Sequence, residues 1–333
     1  MSDIILELKN LEKWYPLRRT LSQILKREYR WIKAVDGISL KINRGEIFGL
    51  IGESGCGKTT TGKLIMKLQE PTGGKIFFNG EEVTHLDKEA LSRHKQNVQM
   101  IFQDPYASMN PRFRARDVLL EPLLIHEIGE NKAVREEMAV KALEDVKLSP
   151  AEEFLNRYAH MLSGGQRQRV ATARTLILSP SFIVADEPVS MIDLSTRAEI
   201  LQMMKDVQQE LGLTYLYITH DLSTARYFTD RIAVMYLGKI VEMGKVDDVI
   251  DNAKHPYTRA LISAVCEPVS GRVNEIKEVP IKGEIPSAAE IPEGCRFHPR
   301  CLYAVPECKE REEPVLEKVD KDHFAACRRY KEI

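Results

Sequence analysis

Eight consecutive residues near the start of the chain have the composition of a phosphate-binding loop. The pattern G-x-x-x-x-G-K-[ST] is matched by residues 52–59, which read Gly-Glu-Ser-Gly-Cys-Gly-Lys-Thr. Glycines let backbone N–H groups turn inward around phosphate oxygens, and the helix that follows presents its positive N-terminus to the same anion. Lys58 is expected to reach the β- and γ-phosphates, and the Thr59 hydroxyl to bind Mg²⁺. The nucleotide contacts expected from this segment are those of Gly52, Ser54, Gly55, Cys56, Gly57, Lys58, Thr59 and Thr60.

Two adjacent carboxylates follow an apolar run farther along the chain. Residues 182–185 are Phe-Ile-Val-Ala, and Asp186 and Glu187 come directly after them. Neighbouring side chains of a strand point to opposite sides, so the two carboxylates can take separate roles at its end. Asp186 can reach the Mg²⁺ shell, while Glu187 can orient and polarise an attacking water. Acidic strand ends are common, but together with a phosphate-binding loop this pair indicates hydrolysis of the bound nucleotide.

A third element is a Ser-Gly-Gly turn at the start of a predicted helix over residues 166–178. Leu162 is followed by Ser163, Gly164, Gly165 and Gln166. The helix that begins there offers a second anion-binding N-terminus. One nucleotide does not need two such cradles from one chain. A second copy docked head to tail would supply this turn to the γ-phosphate held by the first.

Four cysteines are clustered near the C-terminus, whereas Cys56 and Cys266 stand alone. Cys56 is interpreted as a small spacer and not as a reactive thiol. A disulfide framework is unexpected in a reducing compartment, so the clustered cysteines favour a metal site. Their spacings of five, six and eighteen residues are wider than the short knuckle of structural zinc. Four thiolates around one [4Fe–4S] cluster would fit, with zinc or no metal as alternatives. The four cysteines are Cys295, Cys301, Cys308 and Cys327.

The elements that must position these residues read as one α/β core with a helical insertion and a C-terminal appendage. Short apolar runs bounded by turns predict buried strands of a parallel sheet, and longer patterned segments predict helices. Beyond residue 255, proline and cysteine become frequent and periodicity weakens, which indicates a loop-rich tail without a core of its own. The predicted elements are strands at 3–8, 47–51, 97–102, 181–185 and 214–218, a helix at 59–68, a hairpin at 75–83, helices over 115–160 and two strands within 231–242.

Length, charge and hydropathy limit the class of protein. At roughly 100–200 residues per domain, 333 residues correspond to about two domains. A net charge of −1 gives no basic field, so no nucleic-acid partner is expected. No apolar run approaches the ~20 residues that span a bilayer, and the N-terminus lacks the pattern of a secretory signal, so a cytosolic protein is expected. The segment 17–33 is basic and amphipathic, which fits either a solvated surface helix or contact with anionic headgroups or a membrane partner.

The order of these motifs resembles that of the ATP-binding-cassette (ABC) ATPases over residues 4–255. The resemblance implies a P-loop NTPase fold with an antiparallel β subdomain, a helical insertion at about residues 104–160, and two cassettes that close over two ATP molecules. It also implies individual roles. Tyr15 would stack on adenine, with Trp14 as the competing choice. Gln103 would link Mg²⁺ and water to the insertion, and His220 would contact the γ-phosphate. The contacts implied for the γ-phosphate of the opposite subunit are those of Ser163, Gly165 and Gln166. Asp193 lies in the loop that usually reads Ser-Ala-Leu-Asp in the family and is also implied as a nucleotide-site residue.

Two further segments narrow the resemblance. The run from Gln103 to Arg112 and the residues His255-Pro256-Tyr257-Thr258 resemble the ATPases of dipeptide and oligopeptide importers, a group that includes some nickel importers. The resemblance to members with this cysteine pattern implies a [4Fe–4S] cluster, which supports that choice. The resemblance therefore implies a cassette over residues 1–255 and an extension over 256–333. It further implies a peripheral ATPase at the cytoplasmic face of the membrane. Its partners would be a second ATPase subunit, identical or different, two permease subunits and, indirectly, a solute-binding protein. The alternatives are import of another solute such as nickel, or a soluble ABC ATPase without a transport role.

Overall fold

The structure is a computed structural model, and it describes residues 3–17, 29–104, 109–264 and 280–333. Most of the basic segment predicted at 17–33, the middle of the run from Gln103 to Arg112, and Cys266 lie outside the described residues. Within the described part, no helix is both long enough and apolar enough to cross a bilayer.

The main sheet positions the predicted site residues at the ends of its strands. Its strands are β3 (Ile47–Ile51), β6 (Val98–Ile101), β7 (Phe182–Asp186), β8 (Thr214–Thr219), β9 (Arg231–Tyr236), β10 (Lys239–Lys245), β11 (Glu317–Asp320) and β12 (His323–Ala325). Their order across the sheet is β11-β12-β10-β9-β3-β8-β7-β6. Strands β9, β3, β8, β7 and β6 run parallel, and β10, β12 and β11 continue the sheet in antiparallel fashion. Every residue of β3, β7 and β8 is buried, as expected for strands covered on both faces.

The register of the parallel strands brings their carboxyl ends to one edge. Ile51 pairs with Thr219, and Asp186 pairs with Ile218. Ile101 pairs with Ala185 on the next strand. The segments that leave these strands therefore begin side by side, which is where open α/β sheets bind ligands.

A second, antiparallel sheet packs against the main one and confirms the predicted β subdomain. It contains β1 (Ile4–Pro16), β2 (Trp31–Asn43), β4 (Gly73–Phe78) and β5 (Glu81–Glu82), in the order β2-β1-β4-β5. The first strand is longer than the predicted 3–8. Register shifts after Leu8 and Leu11 interrupt its alternation of apolar and polar residues, so the sequence pattern hides its second half.

Helices cover the sheets. They are α1 (Lys58–Ile65), α2 (Lys88–Asn97), α3 (Ala115–Ile125), α4 (Lys132–Asp145), α5 (Ala151–Asn156), α6 (Gly164–Leu176), α7 (Leu194–Leu211), α8 (Leu222–Phe228), α9 (Val246–Asp251), α10 (Pro256–Ala264) and α11 (Pro306–Glu310). The segment predicted as helical over 115–160 is three helices and a 3-10 turn at Ala159–Met161. Together with α6 they share one buried apolar cluster with the face of the main sheet.

The C-terminal extension shares its core with the cassette, contrary to the prediction of a tail without one. Phe297 is 1% exposed and packs edge-on to Tyr236 of β9, with ring centroids 5.3 Å apart. Strand β12 pairs with β10, so the main sheet crosses the boundary expected at residue 255. The fully buried Glu242 carboxylate joins the two parts, because it accepts hydrogen bonds from the backbone N–H groups of Lys254 and His255 and lies 2.8 Å from His323 Nε2.

Candidate functional site

The loop between β3 and α1 has a tightly folded backbone that requires glycine at two positions. Gly57 has a φ of 115°, and a Cβ at this position would lie 2.1 Å from the carbonyl oxygen of Ala34. A Cβ at Gly52 would lie 2.2 Å from the carbonyl oxygen of Met235. Side chains at these two positions would therefore collide with backbone, so the loop can close tightly only around glycine. Helix α1 begins at Lys58, directly after the loop.

Lys58 is buried and points back across the loop. Its Nζ donates to the carbonyl oxygens of Gly52 at 2.6 Å and Glu53 at 3.0 Å. The Cys56 thiol lies 3.9 Å from the same nitrogen and is 4% exposed. Burial raises the pKa of Cys56, which keeps the thiol protonated and agrees with a spacer role.

The two residues expected to bind Mg²⁺ are in contact. The Thr59 hydroxyl donates to Oδ1 of Asp186 at 3.1 Å. Burial raises the pKa of Asp186, the Thr59 hydrogen bond opposes that shift, and the adjacent Glu187 carboxylate adds to it. A hydroxyl and a carboxylate oxygen held together in this way are hard ligands suited to Mg²⁺.

The Glu187 carboxylate contacts two other predicted site residues, one at each oxygen. Gln103 Nε2 donates to one carboxylate oxygen at 3.0 Å, and His220 Nδ1 lies 2.9 Å from the other. The backbone of Glu187 is in the left-handed region with φ 47°, and its N–H donates to the carbonyl of Ile218. A non-glycine residue in this conformation is strained, and such strain is concentrated at functional sites.

One open cavity of about 560 Å³ is lined by Lys58 and Thr59 together with Gln103, Glu187 and His220. Two predicted site residues, Cys56 and Asp186, are not among its lining residues. Two of its lining residues, Ala34 of β2 and Leu261 of α10, carry no signal in the sequence, because both are ordinary apolar residues outside every motif. Glu53 also lines it, and the motif leaves that position unspecified. The lining residues are Ala34, Gly52, Glu53, Ser54, Gly55, Gly57, Lys58, Thr59, Thr60, Gln103, Glu187, His220 and Leu261.

Tyr15 and Trp14, the two candidates for adenine stacking, are not among the residues that line this cavity. Both lie near the end of β1 and are half-buried. The Tyr15 hydroxyl bonds the Gln69 side chain, and the Trp14 indole N–H donates to Asp36 at 3.0 Å. Lys33 Nζ covers the Trp14 ring at 4.6 Å from its centroid. Trp14 is thus held on two sides by neighbouring residues.

The Ser-Gly-Gly turn begins α6 as expected but does not line the cavity. The Ser163 hydroxyl accepts from the Gln166 N–H, and the Gln166 side chain accepts from the Ser163 N–H, which forms a capping box. Asp193 caps α7 and is fully exposed, and hydrogen bonds from Ser195 and Thr196 lower its pKa to about 2. Both helix starts are therefore preformed but lie outside the cavity of their own chain.

All four clustered cysteines line a second, smaller cavity in the extension. Burial, reinforced by the neighbouring thiols, raises the pKa of Cys295 to about 12 and that of Cys327 to about 11. His298, which also lines this cavity, has its Nδ1 2.9 Å from the Cys295 carbonyl oxygen. Among the described residues, no group of three or more His, Cys, Asp or Glu side chains forms a site for a metal ion. The structure thus gathers the four thiols without itself supporting the predicted metal ligation.

Two family models match the chain. Residues 35–190 match the model described as ABC transporter, and residues 241–308 match the model described as oligopeptide/dipeptide transporter, C-terminal region. The chain is 44% identical over 331 residues to the oligopeptide transport ATP-binding protein AppF of Bacillus subtilis, which covers 98% of both chains. It is 41% identical over 323 residues to the dipeptide transport ATP-binding protein DppF of Haemophilus influenzae, which covers 97% of this chain and 96% of the relative.

A solved structure shares the fold of the cassette. The dimeric ATP-binding cassette MJ0796, in a post-hydrolysis state bound to ADP and Pi, is similar with a TM-score of 0.63 and 30% identity. The match covers 73% of this chain and 99% of that cassette. The ABC cassette fold predicted from the motifs is confirmed by this similarity together with the family match.

Proposed function

The chain belongs to the ABC transporter ATP-binding subunits, in the group that carries the oligopeptide/dipeptide transporter C-terminal region, and we propose that it hydrolyses ATP to power import of di- or oligopeptides across the cytoplasmic membrane. The names of its full-length relatives support peptides as the solute. The observation that carries the hydrolytic role is Glu187, which points into the cavity of the phosphate-binding loop between Gln103 and His220.

The geometry of these side chains supports a hydrolytic step. The loop amides and Lys58 bind the phosphates, since Lys58 needs only to exchange its two carbonyl acceptors for phosphate oxygens. Thr59 and Asp186, with Gln103, would hold Mg²⁺, which neutralises charge on the β- and γ-phosphates. Glu187 orients the attacking water and accepts its proton, while His220 contacts the γ-phosphate.

The site needs a second cassette. Ser163, Gly165 and Gln166 form an anion-binding helix start outside the cavity of their own chain, and one nucleotide has no use for two cradles from one polypeptide. We infer that another copy, or a different cassette, supplies this turn and Asp193. ATP binds the closed pair better than the open one, so nucleotide shifts the population toward closure. The helices within residues 104–160 would pass that closure to two permease subunits at the cytoplasmic face of the membrane.

The four cysteines suit a [4Fe–4S] cluster. They line one cavity. Burial raises the pKa of Cys295 and Cys327, so the thiolates that a metal needs would form there only with a bound cation to compensate their charge. Cys295, Cys301, Cys308 and Cys327 would hold it. Its chemistry would be structural, since it would crosslink loops that carry few helices or strands. Zinc on the same thiols is the alternative.

Peptide uptake tests the function directly. Cells in which this chain is the only version of the subunit should accumulate a radiolabelled tripeptide. Cells that carry the Glu187→Gln variant in its place should not. Glu81→Gln, which changes an exposed glutamate on β5, is the matched control. Loss of nickel uptake instead of peptide uptake would assign a different solute. If the chain fails to sediment with membranes, and cells with Glu187→Gln still take up both peptide and nickel, the chain has no transport role.

A further inference from the structure

Glu53, in the phosphate-binding loop, is held by the C-terminal extension. Its backbone N–H donates to the Tyr257 hydroxyl at 2.9 Å. Its carboxylate accepts two parallel hydrogen bonds from Arg300, with Nη1 at 2.7 Å and Nη2 at 3.0 Å. Its carbonyl oxygen is one of the two that hold Lys58. One residue therefore links two groups of the extension to the lysine that is expected to meet the phosphates.

The geometry of the Arg300 contact makes it strong and directional. The Arg300 side chain is 7% exposed, and that of Glu53 is 26% exposed. The guanidinium lies 5.8 Å from the centre of the Tyr236 ring and 5.9 Å from that of Phe297. A fork-to-fork pair of this kind fixes orientation as well as distance, and its partial burial limits screening by water. The pair therefore restrains where the first turn of the loop can lie.

Arg300 is itself fixed by the segment that lines the cysteine cavity. It lies between Cys295 and Cys301, both of which line that cavity. The Cys301 N–H donates to the Phe297 carbonyl at 3.0 Å, and the Cys295 N–H donates to the Cys308 carbonyl at 2.8 Å. The turn over residues 295–301 thus contacts the cysteine cavity on one side and, through Arg300, the phosphate-binding loop on the other.

We propose that the C-terminal extension positions the phosphate-binding loop for ATP, with Arg300 and Tyr257 as positioning residues that act on Glu53, and with the cysteine-lined turn as the support of Arg300. This inference rests on the proposed binding of ATP. The extension then holds Glu53 in place before nucleotide binds, including the Glu53 carbonyl that accepts a hydrogen bond from Lys58. Less conformational entropy of the loop is therefore lost when ATP binds. Without Arg300, the Glu53 carboxylate loses its partner and the loop samples other shapes.

The test is nucleotide affinity of the full-length chain, measured by calorimetry with ATP and Mg²⁺ on hydrolysis-deficient Glu187→Gln protein. Arg300→Met should raise the dissociation constant about tenfold or more, because a hydrogen-bonded charge pair is lost. Arg311→Met, an exposed arginine of the same extension, is the matched control and should leave it unchanged. In the parent with Glu187 intact, Arg300→Met should raise KM while kcat at saturating ATP stays within about twofold.

A double-mutant cycle separates positioning from general damage. Glu53→Gln should weaken binding as Arg300→Met does, and the double variant should be little worse than either. Tyr257→Phe, which keeps the packed ring and removes only the hydroxyl, should raise the dissociation constant severalfold and gives a test that does not depend on Arg300→Met folding. Additive losses, or an unchanged affinity in both Arg300→Met and Tyr257→Phe, would overturn the proposal. Failure of the parent protein to bind ATP would instead overturn the proposed function.

The role of the thiol cavity is tested in the same cycle. Cys301→Ala should weaken ATP binding when Arg300 is present. It should have little further effect on affinity in protein that already carries Arg300→Met. Equal effects in both backgrounds would show that the turn does not act through Arg300. Thermal unfolding of each variant checks that the comparison is made between folded chains.

Discussion

The Glu187 carboxylate and the His220 imidazole lie 2.9 Å apart at the carboxyl ends of the adjacent strands β7 and β8. Glu187 reaches this position through a left-handed backbone, and its N–H is tied to the carbonyl of Ile218 on the neighbouring strand. The Glu187 side chain is 15% exposed and that of His220 is 58% exposed. The carboxylate proposed as the base is therefore sheltered and oriented, while the histidine remains largely exposed.

Glu187→Gln should lower turnover by about a hundredfold or more, since an amide cannot accept the proton of the attacking water. ATP binding should persist, because the amide keeps the size and the hydrogen-bonding position of the carboxylate. The closed dimer should then accumulate with ATP, which size-exclusion chromatography with nucleotide would detect. Glu81→Gln should hydrolyse ATP at the parent rate. Unchanged turnover in Glu187→Gln would remove Glu187 from its proposed role.

Tyr15→Ala should weaken ATP binding about tenfold, because stacking of a base on an aromatic ring contributes roughly 1–3 kcal/mol. Tyr15→Phe keeps the ring and should bind ATP normally. Trp14→Ala should have a smaller effect on affinity, since Trp14 is bonded to Asp36 and covered by Lys33. Fluorescence titration with ATP distinguishes these variants. A loss confined to Trp14→Ala would reverse the assignment.

A site shared between chains predicts complementation. Lys58→Ala and Ser163→Arg should each be inactive alone, because each pair of identical chains lacks one half of both sites. Mixing them should restore part of the ATPase activity, since one site of the mixed dimer combines an intact loop with an intact Ser-Gly-Gly turn. The rate per chain of the parent should also rise with protein concentration. A rate that is independent of concentration, together with no recovery on mixing, would indicate that one chain forms its whole site.

Gly165 and Gly164 should respond differently to alanine although they are neighbours in one turn. A Cβ at Gly165 would lie 2.6 Å from Cγ2 of Thr196 on α7, whereas a Cβ at Gly164 would meet nothing within 4 Å. Gly165→Ala should therefore lower the free energy of unfolding by about 1–3 kcal/mol. Gly164→Ala should leave it unchanged or raise it by up to about 1 kcal/mol, since alanine favours a helix. Thr196→Ser removes the obstructing methyl group and should rescue Gly165→Ala in thermal or urea unfolding. Equal destabilisation by both alanines would contradict the packing argument.

The cluster proposal predicts that protein purified without oxygen is brown and contains about four irons per chain. Cys308→Ser should lose the iron and its visible absorbance, and Cys56→Ser should keep both, because Cys56 lies in the phosphate-binding loop. Elemental analysis gives the count. One zinc per chain without iron would replace the cluster by the alternative metal.

Several parts of this protein depend on local chemistry and can be predicted from the order of its residues. The phosphate-binding loop, the Asp186-Glu187 pair and the Ser163–Gln166 turn each need particular residue types at fixed spacings, so they can be recognised without a structure. The buried strands of the parallel sheet were equally visible, because strands covered on both faces are continuously apolar. The second half of β1 was not, because its register shifts break the alternation that marks a strand.

The contacts between distant residues depend instead on how the strands and helices pack in three dimensions. Gln103, Glu187 and His220 are brought together by the pairing register of β6, β7 and β8 and not by any spacing along the chain. The contact between Glu53 and Arg300 spans 247 residues, and neither position is specified by a motif. The extension looked coreless because its apolar residues are few and aperiodic, yet Phe297 completes a core that the cassette begins. A sequence pattern records which face of one element is buried, whereas the partner of that face is chosen by how all the elements pack.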